Sequence, residues 1–395
     1  MTIPILFLSD SPDLPGGLSR ICRDLATNVS KLHEFRVGTL GRGGHYTCRL
    51  PFPQYNYPGY LQWGEHIIER CWRDFAGSEQ GIIMTIWDAS RLNWFARPGP
   101  GGVAGMSLPQ GLVEFLTSGL FQRWGYFPVD AHSPTGKLSS LSADTLVGYD
   151  RVLAYTSWGS QVLAKSLGRD VDSGVTYIPH GYNPTVFNPK ERNISRAHLN
   201  IDKDDFLVGV VMTNQTRKDW GLAFAMAAEL KTRIPHFKLW CHVDVAERHW
   251  SIPALAADFG MGSELIVSYY AEDLQLALNY SACDVVVLPS LGEGFGYPLV
   301  EGLACGTPVV HHTYGGGAEL IDEHVGRKVK PVAWRLDTLH NCIRPVFEPS
   351  DWADAVVELS EDMPGVDECV ESVRHLQWPL LWTPWKRWFL EGINQ

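Results

Sequence analysis

The chain has 395 residues, 45% of them hydrophobic and 19% charged, with a net charge of −11, and is too long for one ordinary core, so two domains are expected. Residues 1–185 hold 15 Lys+Arg against 15 Asp+Glu, which leaves 18 against 29 for residues 186–395 out of totals of 33 and 44. A neutral half and an acidic half exclude a domain-wide basic footprint for nucleic acid or anionic lipid, and leave only a local basic groove open.

The first predicted element is a strand over 3–8, Ile-Pro-Ile-Leu-Phe-Leu. It lacks a basic n-region and so reads as structure rather than a signal peptide. After Gly16-Gly17 a helix is predicted, with Leu18, Ile21, Cys22, Leu25, Ala26, Val29 and Leu32 on one face at a 3.6-residue period. Further strands are predicted at 81–87, 125–129 and 151–156, then at 206–212, 237–243, 265–268, 284–288 and 308–311, with helices between them. Strand–helix alternation twice over predicts an α/β protein of two doubly wound domains. Domain boundaries are placed at 1–184, 185–375 and 376–395, the last being an aromatic, helix-like tail, Trp378-Pro-Leu-Leu-Trp-Thr-Pro-Trp-Lys-Arg-Trp. No run of ~18 apolar residues offers a membrane span. Eight scattered cysteines without a C-x-x-C pair fit a reducing cytoplasm better than a disulfide framework.

Residues 289–301, Pro-Ser-Leu-Gly-Glu-Gly-Phe-Gly-Tyr-Pro-Leu-Val-Glu, constrain the chemistry most tightly. A buried parallel strand is predicted before them and a helix after them, with Pro298 suited to its first positions. Glu293 then falls on the strand-to-helix loop and Glu301 in the first turn of the helix. Carboxylates and the loop amides of Gly294, Phe295 and Gly296 suit a polyhydroxylated ligand, the first accepting from hydroxyls and the second donating to them. A plain βα turn would also account for the glycines, and the helix dipole for Glu301.

The whole string resembles the E-x7-E signature of retaining glycosyltransferases of the GT-B fold, family 4, also called glycosyl transferases group 1. The resemblance is strongest over about 150–325. Ile178-Pro-His-Gly-Tyr-Asn looks like the family's approach to the interdomain linker. Asn214-Gln-Thr-Arg-Lys-Asp-Trp-Gly is similar to the loop that supplies an Arg/Lys pair, and Thr313-Tyr-Gly-Gly-Gly-Ala-Glu to the later Gly-Gly-x-x-Glu loop. It implies two Rossmann-like domains facing across a cleft, with a C-terminal helix returning to the first.

The implied substrate is a nucleoside-diphosphate sugar, with a hydroxyl acceptor and no other cofactor. Arg217 and Lys218 would face the diphosphate, where cations already in place stabilise a leaving group that gains charge. Asn214 belongs to the same donor-binding loop, and Gly16 and Gly17 would bring backbone amides to the phosphates. The pattern assigns Glu293 to the sugar, with the amides of Gly294, Phe295 and Gly296, and Glu301 to the ribose. Base selection is assigned to backbone contacts near Ser268 to Glu272.

No metal is expected, because Asp202-Lys-Asp204 sits in a charged connector and neither His311-His312 nor His242-x-Asp244 has a third ligand at a recognisable spacing. Where family members carry a cleft histidine, this chain has Asp130 and His132, and the sequence leaves open which of them faces the sugar. Asp88 is a further candidate. His45, Tyr46, Phe52, Tyr55, Tyr57, Tyr60 and Trp63, flanked by Arg42 and Arg49, form an aromatic-basic segment suited either to acceptor stacking or to packing within its own domain. The acceptor is left open among glycan, small molecule, lipid and a hydroxylated base of modified DNA, the last disfavoured by charge. A nucleotide-sugar epimerase and a non-catalytic nucleotide-sugar-binding protein stand as alternatives.

Overall fold

The computed structural model describes residues 2–44, 49–98, 108–338 and 340–394. It divides into two units, Met1–Ile178 with Trp382–Gln395, and Pro179–Leu381. The first division falls a few residues before the expected 184/185. Tyr182 donates its N–H to Leu376 O at 3.0 Å, and Trp378 donates back to Tyr182 O at 3.1 Å, which ties the start of the linker to the end of the second unit.

The first unit is built on seven parallel strands: β1 (Ile3–Asp10), β2 (Phe35–Arg42), β3 (Gln54–Tyr57), β4 (Gly81–Thr85), β5 (Phe121–Phe127), β6 (Arg151–Ala154) and β7 (Thr176–Tyr177), in the order 3-2-1-4-5-6-7. Chain-order reversal beside β1 makes the sheet doubly wound, as the alternation of elements predicts. The helix Gly17–Val29 buries Ile21, Cys22, Leu25, Ala26 and Val29, the face its periodicity marked out. Strand β2, Phe-Arg-Val-Gly-Thr-Leu-Gly-Arg, is not among the predicted strands. Its two glycines and two arginines weaken the local signal, and only pairing with the apolar β1 from Ile3↔Phe35 to Asp10↔Arg42 makes it a strand.

The chain returns to this unit through the helix Trp378–Gly392, of which Trp382 onward belongs here. Trp385 is fully buried, with its ring 4.9 Å from that of Tyr126, and Phe389 packs 6.4 Å from Phe7. Arg151 donates to Trp388 O at 2.7 Å while its guanidinium lies over the rings of Trp388 and Trp124, at 4.1 and 4.8 Å. Burial pulls the Arg151 pKa down, and the nearby Glu391 charge opposes that pull while the two indole faces add attraction for the cation.

The second unit has six parallel strands: β8 (Phe206–Val211), β9 (Phe237–His242), β10 (Leu265–Ser268), β11 (Val285–Val287), β12 (Val309–His312) and β13 (Gly326–Val329), in the order 10-9-8-11-12-13. Its switch point lies between β8 and β11, where ligands of open α/β sheets bind beyond the strand ends. A hairpin follows, β14 (Ala333–Asp337) paired antiparallel with β15 (Cys342–Val346). No helix among the described residues is long and apolar enough to cross a membrane.

Candidate active site

Both loops that leave the switch point of the second unit carry charge. After β8 the chain runs from Met212 to Asp219 before the helix Trp220–Arg233, whose N-terminus Asp219 caps by accepting from Leu222 N at 3.0 Å. After β11 it runs from Leu288 to Gly296 before the helix Tyr297–Ala304. The two loops are tied together: Leu291 donates to Arg217 O at 2.8 Å, and Lys218 bridges to Ser290. This pairing carries the cations of the first loop to the carboxylate of the second.

Glu293 is 5% exposed and Lys218 7%. The Lys218 ammonium donates to Glu293 Oε1, and Arg217 Nη1 lies 3.4 Å from the same oxygen while donating to Gly292 O at 2.9 Å. Burial by itself would push the Glu293 carboxyl up. The Lys218 and Arg217 charges outweigh it and hold the group well below the usual carboxylate range. The site therefore holds a permanent carboxylate and two cations, with Arg217 the more exposed at 29% of its side chain.

The third strand-end loop, Thr313–Glu319, closes on the same place. Gly316 donates to Glu293 O at 3.0 Å, and Gly315 holds φ at +86°, a left-handed conformation open to glycine. Beneath it His311 Nδ1 lies 2.7 Å from Leu288 O, and burial pulls the His311 pKa down to about 4. The neutral ring thus donates from Nδ1 and braces the start of the Glu293 loop. His312, also buried, accepts from Tyr314 N at 3.1 Å. These two histidines act as supports of the loops.

Glu301 is 2% exposed and accepts from Tyr280 OH at 2.9 Å. It does not stand in the first turn of its helix, which begins at Tyr297 with left-handed Gly296 (φ +100°) as its cap. Starting there, the helix puts Glu301 one turn inside, so a tyrosine hydroxyl rather than the helix end holds its carboxylate. Phe295 is buried against His180, the ring centroids 3.9 Å apart, so only its backbone faces the loop. His180 also stacks on Tyr297 at 4.7 Å.

Asn214, expected as a donor-binding residue, is spent within the fold. Its Nδ2 donates to Val245 O and Trp250 O at 3.0 and 2.8 Å, and its Oδ1 accepts from His249 N and Trp250 N at 3.2 and 3.0 Å. It anchors the Arg217 loop to 244–250, and its side-chain amide is fully used in doing so. Asp244, half of the His242-x-Asp244 pair, accepts from Asn214 N at 2.6 Å and faces Arg248 at 3.4 Å.

In the first unit, Gly16 and Gly17 open the helix Gly17–Val29, and a Cβ added to Gly16 would meet nothing nearer than Ser19 Oγ at 4.0 Å. The backbone there is open to close approach. Asp130 and His132 follow β5. His132 Nδ1 lies 2.8 Å from Ser133 O, with its ring 5.7 Å from that of Trp158. Asp88 caps the short turn Ala89–Arg91 and pairs with Arg91 at 3.2 Å.

Much of the aromatic-basic segment is internal packing. Phe52 and Tyr57 are buried, Tyr55 donates to Asp74 at 2.6 Å, and Tyr60 is 82% exposed; His45 and Tyr46 lie outside the described residues. Trp63 carries the guanidinium groups of Arg42 and Arg91 at 4.5 and 4.6 Å from its ring centre. Sequence reasoning overlooked Asp10 at the end of β1, which accepts from Trp87 Nε1 at 3.2 Å. Burial pushes its carboxyl up against the pull of Arg91, Trp87 and Arg42. A polar residue ending the first apolar strand was the signal that pointed to it.

Residues 191–347 match the family model described as glycosyl transferases group 1. The chain is 27% identical over 268 residues to the D-inositol 3-phosphate glycosyltransferase of Stackebrandtia nassauensis, covering 62% of this chain and 57% of that one. It is 32% identical over 195 residues to the protein of the same name from Frankia alni, covering 47% of each. The chain thus spans about half the length of the curated relatives it matches. Among solved structures, the sucrose-phosphate synthase of Thermosynechococcus elongatus superposes with a TM-score of 0.72 at 18% identity over 99% of both chains. HepE of Anabaena, solved in complex with UDP and glucose, superposes with a TM-score of 0.69 at 16% identity, again over 99% of both. The segment that holds the E-x7-E loop thus resembles the group 1 glycosyltransferases, and the GT-B fold is shared along the whole length.

Proposed function

We propose that this chain is a cytoplasmic, retaining, metal-independent glycosyltransferase that moves a sugar from a nucleoside-diphosphate sugar to the hydroxyl of a glycan, lipid or small molecule. The observation that carries the reading is the convergence of Arg217 and Lys218 on the Glu293 carboxylate. Two cations at the switch point suit a diphosphate whose negative charge grows as it leaves, and they do so without a metal ion. Without donor, Glu293 keeps the buried Lys218 charge paired, which avoids the cost of an isolated ion. With donor, the diphosphate takes up part of that pairing, and the carboxylate is freed to accept from sugar hydroxyls.

Glu301, held by Tyr280, accepts from the ribose hydroxyls. In the first unit, the open backbone at Gly16 and the helix N-terminus that follows it suit the close approach of an anion. Glu293 is not assigned as a nucleophile: the acceptor attacks the face from which the phosphate departs, giving up its proton to that phosphate. UDP and glucose in HepE, and the sugar-transferring names of the relatives, support a nucleotide-sugar donor.

The test is a thermal-shift panel of UDP-, GDP-, ADP- and dTDP-sugars with and without EDTA. A donor at a hundredfold excess over its Kd stabilises the fold by about 2.7 kcal/mol. One donor raising Tm equally in EDTA, followed by a product with the donor's anomeric configuration, is the expected result. No shift with any donor, an EDTA-sensitive shift or an inverted product overturns the reading.

A further inference from the structure

Arg217 is the cation whose place the backbone must set. Lys218 is pinned at its own ammonium, which donates to the buried Glu293 carboxylate. The Arg217 side chain is 29% exposed and stands 3.4 Å from the same carboxylate, so its aim depends more on the segment that carries it. That segment is a β-turn: Lys218 N donates to Gln215 O at 3.0 Å, with Thr216 and Arg217 at the two central positions. On one flank the turn is tied to the Glu293 loop, where Leu291 N donates to Arg217 O at 2.8 Å.

The other flank is held by the chain that follows β9. Asp244 Oδ1 accepts from Asn214 N at 2.6 Å, one residue before the turn. Trp250 Nε1 donates to Gln215 O at 3.2 Å, the same oxygen that accepts from Lys218 N. A carbonyl oxygen has two lone pairs, and here one closes the turn while the other is fixed from outside it. The Trp250 ring lies on the first turn of the helix Trp220–Arg233, where a Cβ added to Gly221 would stand 3.1 Å from Trp250 Cζ3. The turn that carries Arg217 therefore cannot swing without breaking the Asp244 or the Trp250 bond.

We propose that Asp244 and Trp250 are positioning residues for the transfer step, acting through this turn to hold the Arg217 guanidinium where the departing diphosphate gains charge. This inference rests on the transferase reading above. Displacing a charge-stabilising group by about 1 Å costs up to about a hundredfold in rate. Ground-state affinity, which is spread over the whole donor, changes far less.

The experiment uses the full chain and whichever of UDP-, GDP-, ADP- and dTDP-glucose it hydrolyses fastest. Release of nucleoside diphosphate to water gives turnover, calorimetry gives donor affinity, and Tm is measured alongside. Trp250→Phe removes the indole N–H and keeps a ring over Gly221. Turnover should fall about tenfold with affinity within about twofold of wild type. Its Tm should fall by no more than about 4 °C, because Gln215 O keeps its bond from Lys218 N. Asp244→Ala should also lose about tenfold in turnover, and Asp244→Asn, which retains an acceptor for Asn214 N, should recover most of it. Arg248→Ala breaks the 3.4 Å pair with Asp244 and should leave turnover unchanged. In an Arg217→Ala background, Trp250→Phe should cost nothing further in turnover, since its effect passes through the missing guanidinium. A merely structural residue would lower Tm and leave turnover by the folded protein alone. Unchanged turnover in both Trp250→Phe and Asp244→Ala, equal losses in turnover and affinity, or a full further loss in the Arg217→Ala background overturns the inference and leaves the donor reading standing. If wild type neither binds nor hydrolyses any of the four, both fall.

Discussion

Lys218→Met removes the ammonium that faces Glu293 and keeps most of its aliphatic stem. The side chains of the pair are 9% and 7% exposed, so the carboxylate that remains cannot regain its hydration. Breaking a buried pair from one side costs about 3–5 kcal/mol. Arg217 stays 3.4 Å away, which places the loss near the lower end, at about 3 kcal/mol. At about 2–4 °C per kcal/mol for a domain of this size, Tm at pH 7 should fall by about 6–12 °C.

The pH dependence carries the sharper test. In the wild type the two cations overcome burial and hold the Glu293 pKa below its ordinary value. A carboxyl lowered on folding contributes stability that is present above its unfolded pKa of about 4.3 and is lost as pH falls through the folded value. In Lys218→Met, burial is less opposed and the carboxyl titrates higher. The variant therefore takes up a proton and escapes its penalty at a pH where the wild type still holds an ion pair. Scanning calorimetry from pH 7.5 to 4.5 should show the gap in Tm narrowing below about pH 5. A gap that stays constant over that range, or a loss under about 2 °C at pH 7, would refute the buried pair.

Arg217→Ala should depress turnover by about a hundredfold with a smaller change in donor affinity, read by steady-state kinetics beside calorimetry; equal losses in both would place Arg217 on the ground state. Glu301→Gln should weaken donor binding about tenfold, because the ribose loses a charged acceptor. Gly317→Ala should cost about 1–3 kcal/mol, since its Cβ would stand 2.7 Å from His311 Nε2 and 3.2 Å from Phe295 O. Gly111→Ala, in the helix Gln110–Leu116 with nothing within 4 Å, should instead raise Tm slightly, and the opposite signs separate crowding from a general glycine effect. Trp385→Ala should cost about 3–5 kcal/mol and loosen the C-terminal helix first, seen as early loss of amide protection at Trp388 and Phe389 in hydrogen exchange.

Elements whose apolar pattern is self-sufficient were legible in the chain. The face of the first helix from Ile21 to Val29, the valine run of β11 and the glycine-rich approach to Pro298 each mark their own structure through local periodicity and backbone preference. The 289–301 string also marked Glu293 and Glu301, because carboxylates, glycines and a proline at that spacing are rare together. Strand β2 was not legible: its glycines and arginines become a strand only against β1. Nor was the hairpin of β14 and β15, whose first strand is exposed from Ala333 to Leu336 and so lacks the buried alternation by which a strand is read.

The site divides in the same way. Residue types fixed the available chemistry, two cations and two carboxylates, but not how it is shared out. Only the fold shows that the Asn214 side chain is consumed by the 244–250 loop, that Tyr280 rather than a helix end holds Glu301, and that His311 donates to Leu288 O and so braces the Glu293 loop. Lys218 and Glu293 are 75 residues apart in the chain, and their pairing depends on β8 and β11 lying side by side at the switch point. Periodicity and turn chemistry are written within a few residues and survive in the sequence. Hydrogen-bond partners and desolvation are set by what the folded chain brings from far away, and those the tertiary structure alone decided.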